Sequence, residues 1–231
     1  MQHIDILEHS ISYTLQPPVL QGLWDETVWQ GADVLFLDAF RPESGDHRPR
    51  TQCKLLYDRE RLYGLFQVAD RYVRCVHRGF QAEVYKDSCV EMFIRPIDTD
   101  GYFNFEFNAG GALLASYVTD PTRVNSSVRA CTPLGPDDVR KIGVYHSLPD
   151  IIEPEIDDDV VWFLEFSIPF AIMERFTGCF GDVAGKSFRA NFYKCGNETS
   201  HPHWAAWSPI TALNFHLPEC FGIIHFEPSA C

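Results

Sequence analysis

Between residues 85 and 108 the chain changes side-chain character at every second position. Successive side chains of a strand point to opposite faces of a sheet. Over residues 102–108, Phe103, Phe105 and Phe107 therefore share one face, and Tyr102, Asn104, Glu106 and Asn108 share the other. Over residues 85–95, Val90, Met92 and Ile94 oppose Cys89, Glu91 and Phe93. The intervening Pro, Asp and Gly residues of 96–101 predict a tight turn, so the two runs read as a hairpin with Glu91 beside the Asn/Glu row. The same alternation recurs over 187–195, where Arg189, Asn191 and Tyr193 form a second polar row, and over 160–168. A further hairpin is predicted from 51–57 and 62–70. Pro169 opens one short helix, 170–176, closed by Gly178. Residues 120–136, rich in Pro, Ser, Thr and Asn, predict a loop or irregular edge, and 152–159 predict an acidic turn.

Many short strands and a single helix predict an all-β fold, an antiparallel β-sandwich, in one domain over residues 1–231. Composition agrees. The 45% hydrophobic residues and 18 Phe are enough for an aromatic-rich core. A formal charge of -13 repels phosphate backbones and anionic membrane surfaces, so nucleic acid and membranes are excluded as partners. The first residues carry neither a basic start nor an apolar run, and a cytoplasmic location is expected. The 8 Cys stand singly without a CxxC pair, the pattern of reduced, structural thiols.

A row of short amides and carboxylates on one sheet face suits a ligand with many hydroxyls. Aromatic side chains offer flat apolar surface to the CH faces of a sugar ring, while Asn, Glu and Arg pair with its hydroxyls. The candidate ligand-binding residues are thus Tyr85, Glu91, Asn104, Glu106, Asn108, Arg189, Asn191, Trp204 and Trp207. Each has a plainer reading: Glu91 as the partner of Arg189 or Arg95, and the two Trp as core packing. Two other chemistries compete. Glu91 and Glu106 on neighbouring strands have the makings of a glycosidase acid/base pair. Cys195, His201 and His203 have the residue types for zinc.

Five pieces in order carry a resemblance: residues 22–32, 62–70, the Asp87-Ser-Cys-Val-Glu-Met-Phe93 motif, 162–169 and 204–222. Together the chain resembles a family 9 carbohydrate-binding module of the DOMON-like β-sandwich group. The resemblance implies a distorted jelly-roll, immunoglobulin-like sandwich, non-catalytic binding of a neutral mono- or oligosaccharide, and a partner glycosidase in many relatives. It implies Tyr85 and Trp207 as ring-stacking aromatics, with Glu91 as the hydroxyl-binding carboxylate, and places Trp204 where a polar residue is expected. It also implies structural calcium, for which Asp98, Asp100, Asp157 and Asp159 on acidic turns are the candidate ligands. A haem role, known in some DOMON-like relatives, has only Met92 and Met173 as internal Met candidates, and Met92 reads as core.

Overall fold

The computed structural model describes residues 6–96, 99–125 and 127–229. Sixteen strands and two short helices occupy them. The strands are β1 (Glu8–Tyr13), β2 (Val34–Phe36), β3 (Ala39–Phe40), β4 (Arg50–Tyr57), β5 (Arg61–Asp70), β6 (Val73–Cys75), β7 (Cys89–Arg95) and β8 (Tyr102–Asn108). The chain continues with β9 (Leu113–Val124), β10 (Ser127–Pro133), α1 (Pro136–Val139), β11 (Gly143–His146), β12 (Ile152–Ile156), β13 (Val160–Pro169), α2 (Phe170–Thr177), β14 (Ser187–Cys195), β15 (Trp204–Ala206) and β16 (Gly222–Phe226).

Two sheets pack face to face and meet along β1. Its first half pairs in parallel with β16, and its last two residues, Ser12 and Tyr13, pair in parallel with β4. One sheet runs β10-β9-β8-β7-β14-β16-β1, and the other continues β1-β4-β5-β13-β11. The alternation read from the sequence fills the space between them. Val90, Met92 and Ile94 of β7, Phe103, Phe105 and Phe107 of β8, and Phe188, Ala190 and Phe192 of β14 meet Phe66, Trp162, Leu164 and Phe166 of the opposite sheet in one core. Trp29 is fully buried in a satellite cluster with Ala32, Leu56, Tyr63 and Leu65. Glu165 anchors the opening segment by accepting from the backbone N–H of Gln21 and Gly22 at 2.8 and 2.7 Å.

One expectation narrows and one changes. Of the two readings of residues 120–136, loop or irregular edge, the structure has the second, since β9 and β10 form a hairpin with register shifts and β10 is the edge strand. Residues 152–156 form β12, which pairs with β6. Both segments lack clean alternation because their pairing is bulged, and a bulge breaks the two-residue period on which recognition depends.

Candidate functional site

The hairpin of β7 and β8 forms in the expected register, with Glu91 directly opposite Glu106 and Phe93 opposite Asn104. This polar face is not a solvated one. The segment after Trp207, the β9–β10 hairpin and the 3-10 turn Val84–Lys86 rise around it. They enclose a cleft of about 470 Å³ with Glu91, Asn104, Glu106 and Cys195 among its lining residues. Glu91 is 2% exposed and Glu106 is 4% exposed, so both carboxyl groups form the floor. Tyr85, Trp204, Leu114 and Phe215 give the cleft apolar walls, with His216 and Arg123 alongside.

Each wall is held from outside. Asp87, fully buried, accepts from the backbone N–H of Val76 and His77, from Asn108 Nδ2 and from Arg74, and so fixes the turn that carries Tyr85. Tyr85 donates its hydroxyl to Glu83 at 2.8 Å, and Trp204 donates Nε1 to Asn197 at 2.7 Å. Phe215 lies flat on Tyr193, ring centroids 4.1 Å apart. Asn104 is oriented by accepting from the Ser116 N–H and donating to Glu106 Oε1 at 2.7 Å.

Of the predicted residues, Tyr85, Glu91, Asn104, Glu106 and Trp204 meet in this cleft. The others do different work. Trp207 is 6% exposed and packs in the main core, because residues three apart on an extended segment fall on opposite faces of it. Asn108 donates to the His77 carbonyl and to Asp87. Asn191 donates to the Ser208 carbonyl, and its own Oδ1 accepts the Ser208 N–H, tying the closing segment to β14. Arg189 donates to the carbonyls of Phe221 and Gly222 rather than pairing with Glu91. Asn191 and Arg189 spend their hydrogen-bonding capacity on the segment laid across the face, and Asn108 spends its amide N–H groups on the turn below it.

The metal candidates separate as well. Cys195 lies on the cleft floor, whereas His203 joins His47 and Asp70 elsewhere and His201 stacks on Tyr72, so the three do not form one site. Asp157 and Asp159 are exposed in the turn before β13, and Asp100 lies at the turn before β8. Among the described residues none of the three joins a group of three or more converging His, Cys, Asp or Glu side chains. Asp98 lies outside the described residues. Met92 and Met173 are both fully buried in the core.

The floor is electrostatically costly. Burial, the Glu106 carboxylate and the Cys195 thiol all push the Glu91 carboxyl well above the usual range. Burial raises Glu106 to about 7, against the pull of Asn104 and Arg123. A carboxyl whose folded pKa is raised contributes stability that is present below its unfolded value and lost as pH rises through the folded one. For Glu106 that window runs from about pH 4.5 to about 7. Glu106→Gln is therefore expected to stabilise the protein at pH 8, by on the order of 1–3 kcal/mol, and to flatten the decline in Tm between pH 4.5 and 7. Thermal unfolding of both proteins across that range measures it, and parallel Tm curves would refute the assignment.

Fold and cleft together describe a β-sandwich with a cleft of small-molecule size on one sheet. The chain belongs to carbohydrate-binding family 9, whose sequence profile matches residues 26–226. Among solved structures it is similar to a protein of Bacteroides uniformis for which carbohydrate binding is a proposed role, with 26% identity, a TM-score of 0.83, and coverage of 96% of this chain and 100% of that one. It also shares its fold with a family 9 module of Caldicellulosiruptor kristjanssonii solved with glucose, at 15% identity, a TM-score of 0.64 and coverage of 97% of each chain. A structure of a family 9 module from that organism with cellotriose gives 15% identity, a TM-score of 0.65, and coverage of 97% and 95%. No curated protein matches the chain significantly.

Proposed function

We propose that the cleft binds a small neutral carbohydrate, a mono- or oligosaccharide, and does not turn it over. The observation that carries this reading is the joining of a carboxyl and amide floor, Glu91, Asn104 and Glu106, to the apolar walls Tyr85, Trp204 and Phe215 in one cleft of about 470 Å³. Pyranose rings need that combination: flat apolar surface for the CH faces and fixed acceptors and donors for the hydroxyls. Like charges directly opposite each other favour one shared proton, so the floor offers both an O–H donor and carboxylate acceptors to a vicinal diol. The relatives solved with glucose and cellotriose support a glucose-class ligand.

Catalysis fits the geometry poorly. Glu91 and Glu106 stand side by side on neighbouring strands of one floor. A glycosidase pair must instead flank the scissile bond. Isothermal titration calorimetry with glucose, cellotriose and a panel of other neutral saccharides tests the reading. One ligand per chain is expected to bind at millimolar concentration or below, and aryl glycosides are expected to survive incubation unchanged. If no neutral saccharide binds, or if aryl glycosides are hydrolysed by the wild type but not by Glu91→Gln, the proposal is wrong.

A further inference from the structure

Among the described residues two groups of metal-capable side chains converge, and only one of them has a cation of its own. In the first, His47, Asp70 and His203 surround the Lys194 ammonium, which lies 3.4 Å from Asp70 Oδ2 and 2.6 Å from His203 Nε2. That lysine already occupies the place a metal would take. The second group, Cys89, Glu91 and Cys195, lies beneath the cleft, and its three ligand atoms fall within 4.8 Å of one another. Cys89 and Cys195 are directly opposite each other on β7 and β14. Glu91 Oε1 is 3.2 Å from Cys195 Sγ and 3.9 Å from Cys89 Sγ. Among the described residues, no Lys, Arg or His forms an ion pair with Glu91 or Glu106. Glu106 Oε2 is buried with no hydrogen-bond partner.

We propose that Cys89, Cys195 and Glu91 form a zinc-binding site at the floor of the cleft, with Glu106 beside it as a fourth acidic group. Tetrahedral zinc sits about 2.3 Å from thiolate sulfur and about 2.0–2.2 Å from carboxylate oxygen, which separates neighbouring ligand atoms by roughly 3.5–3.8 Å. The spacings around Glu91 Oε1 bracket that figure, and all three ligand atoms lie within 4.8 Å of one another. The chemistry also matches. Two thiols and a carboxylate are a borderline-soft donor set that favours zinc over calcium or magnesium. Binding would release the two thiol protons to solvent and neutralise the negative charge that buried carboxylates and thiolates would otherwise hold in one place. Because Glu91 and Cys195 line the cleft, an ion has a path in.

The site goes beyond carbohydrate binding but has Glu91, with Glu106 beside it, in common with the floor assigned to the sugar, so the two are tested separately. Reduced protein is titrated with cobalt(II) as a spectroscopic stand-in for zinc, and zinc affinity is then read by competition with a chromophoric chelator. One cobalt per chain with intense sulfur-to-cobalt charge-transfer absorption is expected, together with proton release. Cys195→Ser and Glu91→Gln should each weaken zinc binding about 100-fold or more, since even outer partners of metal ligands are worth about 10–100-fold. Cys179→Ser, which removes an exposed thiol near α2, should leave it unchanged. Circular dichroism checks that each variant is folded. If Cys195→Ser does not fold, the absorption spectrum of wild type and the Glu91→Gln titration still decide. Cobalt bound without charge-transfer absorption, a Cys89–Cys195 disulfide that persists under reducing conditions, or wild-type affinity in a folded Cys195→Ser would each overturn the proposal. Calorimetry with saccharides on chelator-treated protein keeps the two apart: a protein that binds saccharide but takes up no cobalt or zinc in the titrations sinks only this inference, and one that takes up the metal but binds no saccharide with or without it sinks only the carbohydrate reading.

Discussion

Trp207→Ala is expected to lower the stability of the protein by about 3–5 kcal/mol, whereas Trp204→Ala should leave it near wild type and weaken saccharide binding roughly tenfold to hundredfold. The two residues lie three apart and differ in what surrounds them. Trp207 packs edge-on against Phe192, with ring centroids 5.9 Å apart, and its ring tip presses on Gly222 so closely that a Cβ there would meet it at 2.6 Å. Its removal leaves a cavity between β14 and β16 that the strands cannot collapse to fill. Trp204 is half-buried on the cleft wall, and its indole N–H donates to Asn197. Denaturant unfolding and calorimetry of both variants separate the roles. A stable Trp207→Ala that has lost its ligand, or a Trp204→Ala that binds normally, would contradict this assignment.

Asp70→Asn should destabilise the fold by about 3–5 kcal/mol, because breaking a buried ion pair strands the remaining charge. Asp70 ends β5 in one sheet and Lys194 lies near the end of β14 in the other, and both side chains are fully buried. His47 Nε2 at 2.8 Å and Trp162 Nε1 at 3.1 Å complete the coordination of the carboxylate. Burial pushes this carboxyl up, but Lys194, His47 and His203 outweigh it and hold it well below the usual range. Its contribution is therefore full above the unfolded value near pH 4 and lost as pH falls further. His203 acts earlier. Burial, with the Lys194 ammonium, holds it down at about 3, and its stabilising effect is lost as pH falls from 6.5 towards that value. The His203 contribution should thus fall from pH 6.5 downward against the opposite trend of Glu106, and acid unfolding should steepen below pH 4, where the Asp70 contribution is lost as well. Replacing both partners, Asp70→Asn with Lys194→Met, is expected to recover part of the loss in a double-mutant cycle read by urea unfolding. An additive cycle would show that the pair does not couple the sheets.

A period of two in the chain was sufficient to define the β-sandwich, the hairpin of β7 and β8, and the face on which Glu91, Asn104 and Glu106 stand. Strand geometry makes that assignment local: once a segment is extended, parity alone decides which side chains travel together. The short helix after Pro169 was legible for the same reason, since proline at its start and glycine at its end are local signals. Parity also put Cys89 with Glu91, and Cys195 with Asn191, before any contact between the strands was known. What parity could not say is which face of a strand would be covered, and by what. The segment after Trp207 lies across the polar row, buries Asn191, turns Arg189 to backbone carbonyls and brings Phe215 and His216 to the cleft from more than 100 residues away in sequence. The choice between Trp204 and Trp207 was likewise tertiary, because it depends on which side of β15 meets the core. Pairing of β7 with β14 brought Cys89 to Cys195, and packing of one sheet on the other brought Asp70 to Lys194, encounters of which no single segment carries a record.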